Sequence, residues 1–201
     1  MKFRITTLFI VLSLAAFGQR DASNNNIKGK VFISGGIGAS TILWNIYGLE
    51  NGQTQNDGII KAQSIVYNGA IDYGFFNFIT IGAGVAYQTA NGVFESGNTK
   101  YTESFSRWNI ALRFLGNTYL SNHFQLYGGY RIGISYWTDI ITPVPGPTSS
   151  GALILNDNHV TKYPSLQLLI GARYFISNIG LHAEFALGTP YFAEGGLTIR
   201  I

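Results

Sequence analysis

The sequence predicts an all-β chain whose strands, about eight of them, close into an antiparallel up-and-down barrel. Three observations predict it. From Lys28 onward apolar and polar residues alternate with period two, and no long segment has helical periodicity. Clusters of Gly, Asn, Ser and Pro interrupt the alternation, as turns do. The links between the runs differ in length, mostly short on one side and long on the other.

The segments follow in order. Lys30 to Ala39 sets Val31, Ile33, Ile37 and Ala39 against Ser34, Gly36 and Gly38. Gln63 to Tyr73 sets Ile65, Tyr67, Ile71 and Tyr73 against Ser64, Asn68 and Asp72. Phe78 to Thr89 sets Ile79, Ile81, Ala83, Val85 and Tyr87 against Thr80, Gly82, Gly84 and Gln88. The clearest is Phe105 to Phe114, with Trp108, Ile110, Leu112 and Phe114 opposite Arg107, Asn109, Ala111 and Arg113. Phe124 to Trp137 sets Phe124, Leu126, Tyr130, Ile132, Ile134 and Tyr136 against Gln125, Tyr127, Gly129, Arg131, Gly133 and Ser135. Pro164 to Phe175 sets Leu166, Leu168, Ile170, Ala172 and Tyr174 against Ser165, Gln167, Gly171 and Arg173, with Leu169 an apolar exception. Ile179 to Leu187 sets Leu181, Ala183, Phe185 and Leu187 against His182 and Glu184. Tyr191 to Ile201 sets Leu197, Ile199 and Ile201 against Glu194, Thr198 and Arg200. Runs of about ten residues suit strands that cross a bilayer at a tilt.

Short links are expected around Phe76-Asn77, from Gly116 to Asn122, around Ser177-Asn178 and around Thr189-Pro190. Long polar loops are expected at 41–62, 90–104 and 138–162. The short link at Thr189-Pro190 departs from the otherwise regular alternation of short turns and long loops. Outward aromatics fall near the strand ends. Tyr73, Phe114, Phe124 and Tyr174 lie toward the short turns, and Tyr87, Trp108, Tyr136 and Tyr191 toward the long loops. Two such belts match two membrane interfaces.

The direction of the faces needs a physical argument, because a soluble barrel also alternates. Apart from His182, the polar face concentrates its ionisable groups in Arg107, Arg113, Arg131, Arg173 and Arg200 against Asp72, Glu184 and Glu194. The other face carries no charge within the strands. Small residues with a few long Arg suit a narrow interior, since eight strands leave a lumen just wide enough for side chains. Arg–carboxylate pairs satisfy one another there. The apolar face is therefore expected to meet lipid, with a polar network of Asp72, Arg107, Arg113, Arg131, Arg173, His182, Glu184, Glu194 and Arg200 packed inside.

Composition agrees. Of 201 residues only 11% are charged, 25 are Gly and 14% are aromatic. Lys2 and Arg4 precede an apolar stretch from Ile5 to Phe17, too short to span a bilayer. Ala16-Phe17-Gly18 has small residues where a signal cleavage site needs them. The expected organisation is a signal peptide over 1–18, a flexible tail over 19–28 and a barrel over 29–201. Without Lys2 and Arg4 the net charge of +3 falls by two, to +1. No basic run suggests nucleic-acid binding. The absence of Cys excludes disulfides and thiolate metal sites.

The run Glu194-Gly195-Gly196-Leu197-Thr198-Ile199-Arg200-Ile201 resembles the C-terminal signal of outer-membrane proteins, carried here by Gly196, Ile199 and Ile201. In that family the outer-membrane assembly machinery reads it. Ile201 departs from the Phe or Trp usual at the last position. The chain from Gln19 resembles the small eight-stranded outer-membrane β-barrel family, OmpX-like and OmpA-transmembrane-like. Phe17-Gly18-Gln19 is similar to the mature starts of exported Bacteroidota proteins. The resemblance implies export through the inner membrane to the outer membrane of a Gram-negative bacterium, with outer-membrane lipid and the assembly machinery as partners.

Candidate chemistry is sparse, and no cofactor or metal is expected. His182 and Glu184 share a face, but two ligand types do not complete a metal site. Ser149, Ser150, Asp157 and His159 share the third long loop, yet a triad is recognised by geometry and not by proximity in sequence. The expectation is a non-enzymatic barrel with a structural role in the envelope, or one that meets an extracellular partner through loops 41–62, 90–104 and 138–162. The alternatives are a porin-like conduit for small molecules or lipid, for which Gly36, Gly38, Gly82, Gly84, Gly129, Gly133 and Gly171 could open space, and a lipid-modifying enzyme.

Overall fold

The structure, a computed structural model, describes residues 26–40, 65–96, 99–144 and 158–201. Its strands are β1 (Val31–Ala39), β2 (Ile65–Gly74), β3 (Ile79–Ser96), β4 (Thr99–Tyr119), β5 (Phe124–Pro143), β6 (Asn158–Ile176), β7 (Ile179–Gly188) and β8 (Ala193–Arg200). Each pairs antiparallel with its neighbour in sequence, and β8 pairs back onto β1, so the sheet closes into a barrel. Closure leaves no free edge around the belt.

The two faces of the alternation separate cleanly. Trp108, Ile110 and Leu112 on β4 are 50%, 57% and 56% exposed, while Arg107 and Arg113 between them are 2% and 0% exposed. Ile132, Ile170, Leu181, Phe185 and Leu197 also face outward, and Arg131, Arg173, His182, Glu184 and Thr198 are buried. The barrel is thus apolar outside and mainly polar inside, with Val66, Leu115 and Leu169 as apolar residues among the buried ones.

Several boundaries differ from those the alternation suggests. The stretch 90–104 is not a long loop: β3 and β4 continue as a paired ribbon from Ala90↔Phe105 to Ser96↔Thr99. Within 138–162, β5 runs on to Pro143 and β6 begins at Asn158, paired from Ile140↔Asn158 downward. The loop 41–62, with Gln63 and Ser64, lies outside the described residues. At the opposite end β4 continues to Tyr119, so the link expected from Gly116 is a tight turn over 120–123. The last strand begins at Ala193 and not at Tyr191. Tyr191, assigned to the outward aromatics, is fully buried. The parity of β8 does not extend through the preceding link, which bends inward.

These differences make the barrel uneven. Pairing with β2 stops at Gln88, and pairing with β7 stops at Gln167. Beyond those points β3, β4, β5 and β6 continue as a four-stranded extension. Pro164 lies on this part of β6, beyond its pairing with β7. Proline lacks the ladder donor and is confined to such edges.

The interior is closed at its lower, short-turn end by Ile27, Phe32 and Phe175, with Tyr119 packed against them. Ile27, placed in the tail by sequence, is fully buried. The backbone bonds Gly29 N–H to Gly74 O and Gly74 N–H to Lys30 O, both 2.8 Å, hold that segment across β2. A single apolar residue ahead of a strand shows no period, so the alternation could not assign it.

Candidate functional site

The polar interior is built from hydrogen-bonded clusters, of which one gathers around a buried guanidinium. Its centre is Arg113 of β4. The Arg113 Nε donates to Asp72 Oδ1 at 3.1 Å, and Nη2 donates to Glu184 Oε1 at 2.8 Å. Arg173 of β6 donates to the other Asp72 oxygen at 3.1 Å. Two tyrosines complete Glu184: Tyr127 donates to Oε1 at 2.9 Å and Tyr191 to Oε2 at 2.6 Å. Arg173 also lies over the rings of Tyr127 and Phe32. Asp72 comes from β2 and Glu184 from β7, so Arg113 bridges strands from different parts of the barrel. Such charge-assisted bonds are the strong ones, and they are what make a buried ion pair tolerable.

A second chain runs along the wall. The Arg131 Nη1 donates to Asn68 Oδ1 at 2.7 Å, and Asn68 Nδ2 donates to Glu194 Oε1 at 3.0 Å. That carboxylate oxygen also meets His182 Nε2 at 3.2 Å. The His182 Nδ1 meets Thr198 Oγ1 at 3.0 Å, which in turn meets Ser34 Oγ at 3.0 Å.

The upper end is closed by the β7–β8 link. The Arg107 Nη2 donates to the carbonyl of Pro190 at 2.6 Å, and Gln167 Nε2 donates to that of Tyr191 at 2.7 Å. With the Tyr191 hydroxyl on Glu184, three lumen side chains pin this link inside. Near the lower mouth, half-buried Arg200 donates to Ser177 O at 2.9 Å and covers the Phe175 ring. Among the described residues Arg107 and Arg131 have no carboxylate within ion-pair distance.

The lumenal glycines do not open a passage. A Cβ at Gly36 would meet Glu194 Oε1 at 2.6 Å, and one at Gly171 would meet Tyr127 Cζ at 2.5 Å. A Cβ at Gly82 would collide with the Asp72 carboxylate. Space left by a missing side chain is taken by a long polar one from a neighbouring strand.

The nine residues singled out by sequence lie in this interior, with Arg200 at its mouth. Tyr127, Tyr191 and Asn68 were not among them, although they supply central bonds. Tyr127 and Asn68 do sit on the polar face of the alternation. Tyr191 carries no such signal, because it lies in the link ahead of β8, whose parity starts at Ala193.

Thr198, His182 and Glu194 form a hydroxyl–imidazole–carboxylate chain. Catalysis would need a substrate beside the hydroxyl, yet Thr198 is fully buried between two closed ends. No group of three His, Asp or Glu suited to a metal occurs among the described residues. Ser149, Ser150 and Asp157 lie outside the described residues, as does the side chain of His159. Gly196 of the C-terminal motif faces the lumen beside His182, where a Cβ would meet His182 Cε1 at 2.8 Å. Ile199 and Ile201 are exposed.

No family model matches the chain. No curated protein matches it either. Solved structures do. The crystal structure of Ail, the attachment invasion locus protein of Yersinia pestis, is 13% identical with a TM-score of 0.48, covering 87% of this chain and 99% of that one. The backbone structure of the same outer membrane protein in a bilayer nanodisc is 14% identical with a TM-score of 0.45, covering 87% and 100%. The N-terminal β-barrel domain of Pseudomonas aeruginosa OprF is 12% identical with a TM-score of 0.37, covering 87% and 98%.

Proposed function

We propose that the chain is a non-enzymatic outer-membrane barrel of a Gram-negative bacterium that presents its four-stranded extension to a partner outside the cell. The membrane part rests on one observation: the exposed face is a continuous apolar belt and the buried face is charged. Such a belt exceeds the apolar patches that soluble monomers expose, and in lipid it costs nothing. Every backbone group around the belt is paired by closure, as a bilayer demands. In this reading residues 1–18 are a cleaved signal peptide. Gly196, Ile199 and Ile201 then serve the assembly machinery.

The display part rests on the unequal strands. β3 to β6 carry on beyond the level where β7 and β2 stop, and strands built only to cross a bilayer need no such length. Among the described residues no further strand pairs with β3 beyond Gln88 or with β6 beyond Gln167, and such edges are templates for another chain. The packed interior argues against conduction.

The test is direct. Recovery in the outer-membrane fraction and heat-modifiable migration on gels are expected; a soluble periplasmic protein would refute the membrane reading. Purified protein in planar bilayers is expected to show negligible conductance, and discrete channel openings would favour the conduit instead. Lipid A with unchanged mass in cells with and without the protein is expected, and an altered mass would favour an enzyme.

A further inference from the structure

On the outer wall a groove of about 460 Å³ lies at the seam of β6 and β7. Its walls are Leu168 and Ile170 of β6, Phe185 and Leu187 of β7, and Phe192 of the link. The groove follows from the link's inward bend. Tyr191 leaves the outer surface to reach Glu184, and Gly188, at a φ of 112°, turns the chain from β7 into that link. Phe192 returns to the outside. It is held there by Ala186 N–H to Phe192 O at 2.8 Å and Phe192 N–H to Ala39 O at 2.9 Å. The walls are thus fixed by backbone bonds, so the groove is preformed.

We propose that this groove holds one acyl chain of a phosphate-bearing anionic membrane lipid, with phosphatidylglycerol as its probe below; the proposal rests on the membrane reading above. Depth points to this occupant. From Ile176 at the turn to Leu168, at about 3.3 Å per residue and about 40° of tilt, is a climb of roughly 20 Å. The apolar band of such a barrel is about 25 Å tall. The groove therefore lies inside the band, in the half nearer the strand extension. A water-soluble partner would have to displace lipid to reach it. Higher on the same outward face of β6 is Lys162, exposed and with its amine 5.6 Å from the centre of the Tyr136 ring. It stands about 15 Å above Leu168 by the same arithmetic. A Lys stem reaches toward the headgroup layer while its charge stays in water. A chain seated in the groove would leave its phosphate on that side.

The experiment uses the full barrel refolded into vesicles of equal phosphatidylglycerol and phosphatidylcholine, extracted in mild detergent and examined by native mass spectrometry. One retained lipid per barrel is expected, with phosphatidylglycerol at least fivefold over phosphatidylcholine. Leu187→Trp fills the groove and Phe192→Ala opens it. Each is expected to cut retention at least fivefold. Ile110→Trp, on the same belt away from the groove, is expected to leave retention unchanged. Lys162→Gln is expected to abolish the headgroup preference and keep the lipid. No retained lipid in the wild type, or equal loss in the Ile110→Trp control, overturns the proposal. Indifference to headgroup overturns the Lys162 part. Heat-modifiable migration checks that each variant is folded. Failure of the membrane reading is separately visible, since the protein would then not float with the vesicles.

Discussion

Replacing Asp72 by Asn removes a carboxylate that is fully buried and accepts from two guanidiniums at 3.1 Å each. The side chain keeps its shape, so packing is almost unchanged and the loss is electrostatic. Arg113 retains Glu184 at 2.8 Å. Arg173 retains only the ring faces of Tyr127 and Phe32 and becomes a buried charge without a carboxylate. Breaking a buried pair from one side costs about 3–5 kcal/mol. The residual partner of Arg113 puts the expected loss near the lower end, about 3 kcal/mol, or roughly 150-fold in the folding equilibrium. The assay is urea unfolding of the barrel in phospholipid vesicles, followed by tryptophan fluorescence and by gel migration. Adding Arg173→Met to Asp72→Asn removes the stranded charge. The double variant is expected to recover at least about 1 kcal/mol relative to Asp72→Asn alone. A loss below about 1 kcal/mol for Asp72→Asn, or strict additivity in the double variant, would refute the argument that this network is dry and coupled.

Three further outcomes are expected. Ile110→Arg, at a site 57% exposed, should cost about 2–4 kcal/mol if the belt meets lipid near the bilayer centre; in a soluble barrel it would change stability by less than about 0.5 kcal/mol. Gly171→Ala pushes a methyl into the Tyr127 ring and should destabilise by about 1–3 kcal/mol in the same urea assay, with partial rescue by Tyr127→Leu. Ile27→Ala should cost about 2–4 kcal/mol by emptying the lower plug; a neutral result would return Ile27 to a flexible tail.

What the sequence made legible follows from what surrounds each strand. On β4 and β5 one face is apolar and exposed and the other polar and buried, so Trp108 to Phe114 and Arg107 to Arg113 separate on inspection. The extension beyond Gln88 and Gln167 lacks that contrast. Its sequence, such as Asn91-Gly92-Val93 and Glu103-Ser104, mixes classes without alternation. Period two therefore vanishes where the strand does not, and the extension reads as loop. The polar network was legible as a set of residues and not as a set of bonds. That Arg113 meets Glu184, 71 positions away, depends on register and barrel closure, which no local pattern encodes. Tyr191 was misplaced for a related reason: parity counts only within a strand, and β8 starts two residues later.

The bridging role of Arg113 has a consequence for how the molecule is made. Its two acceptors arrive from β2 and β7, one before it in the chain and one long after. On the membrane reading proposed above, a chain inserted hairpin by hairpin would carry the Arg113 guanidinium into hydrocarbon with Asp72 present and Glu184 still missing, and intramembrane charge that lacks a partner is costly. Until β7 is in place, that penalty opposes species that have β4 inserted. In that reading insertion favours closure, and a chain truncated before Ile179 should stall at the bilayer surface.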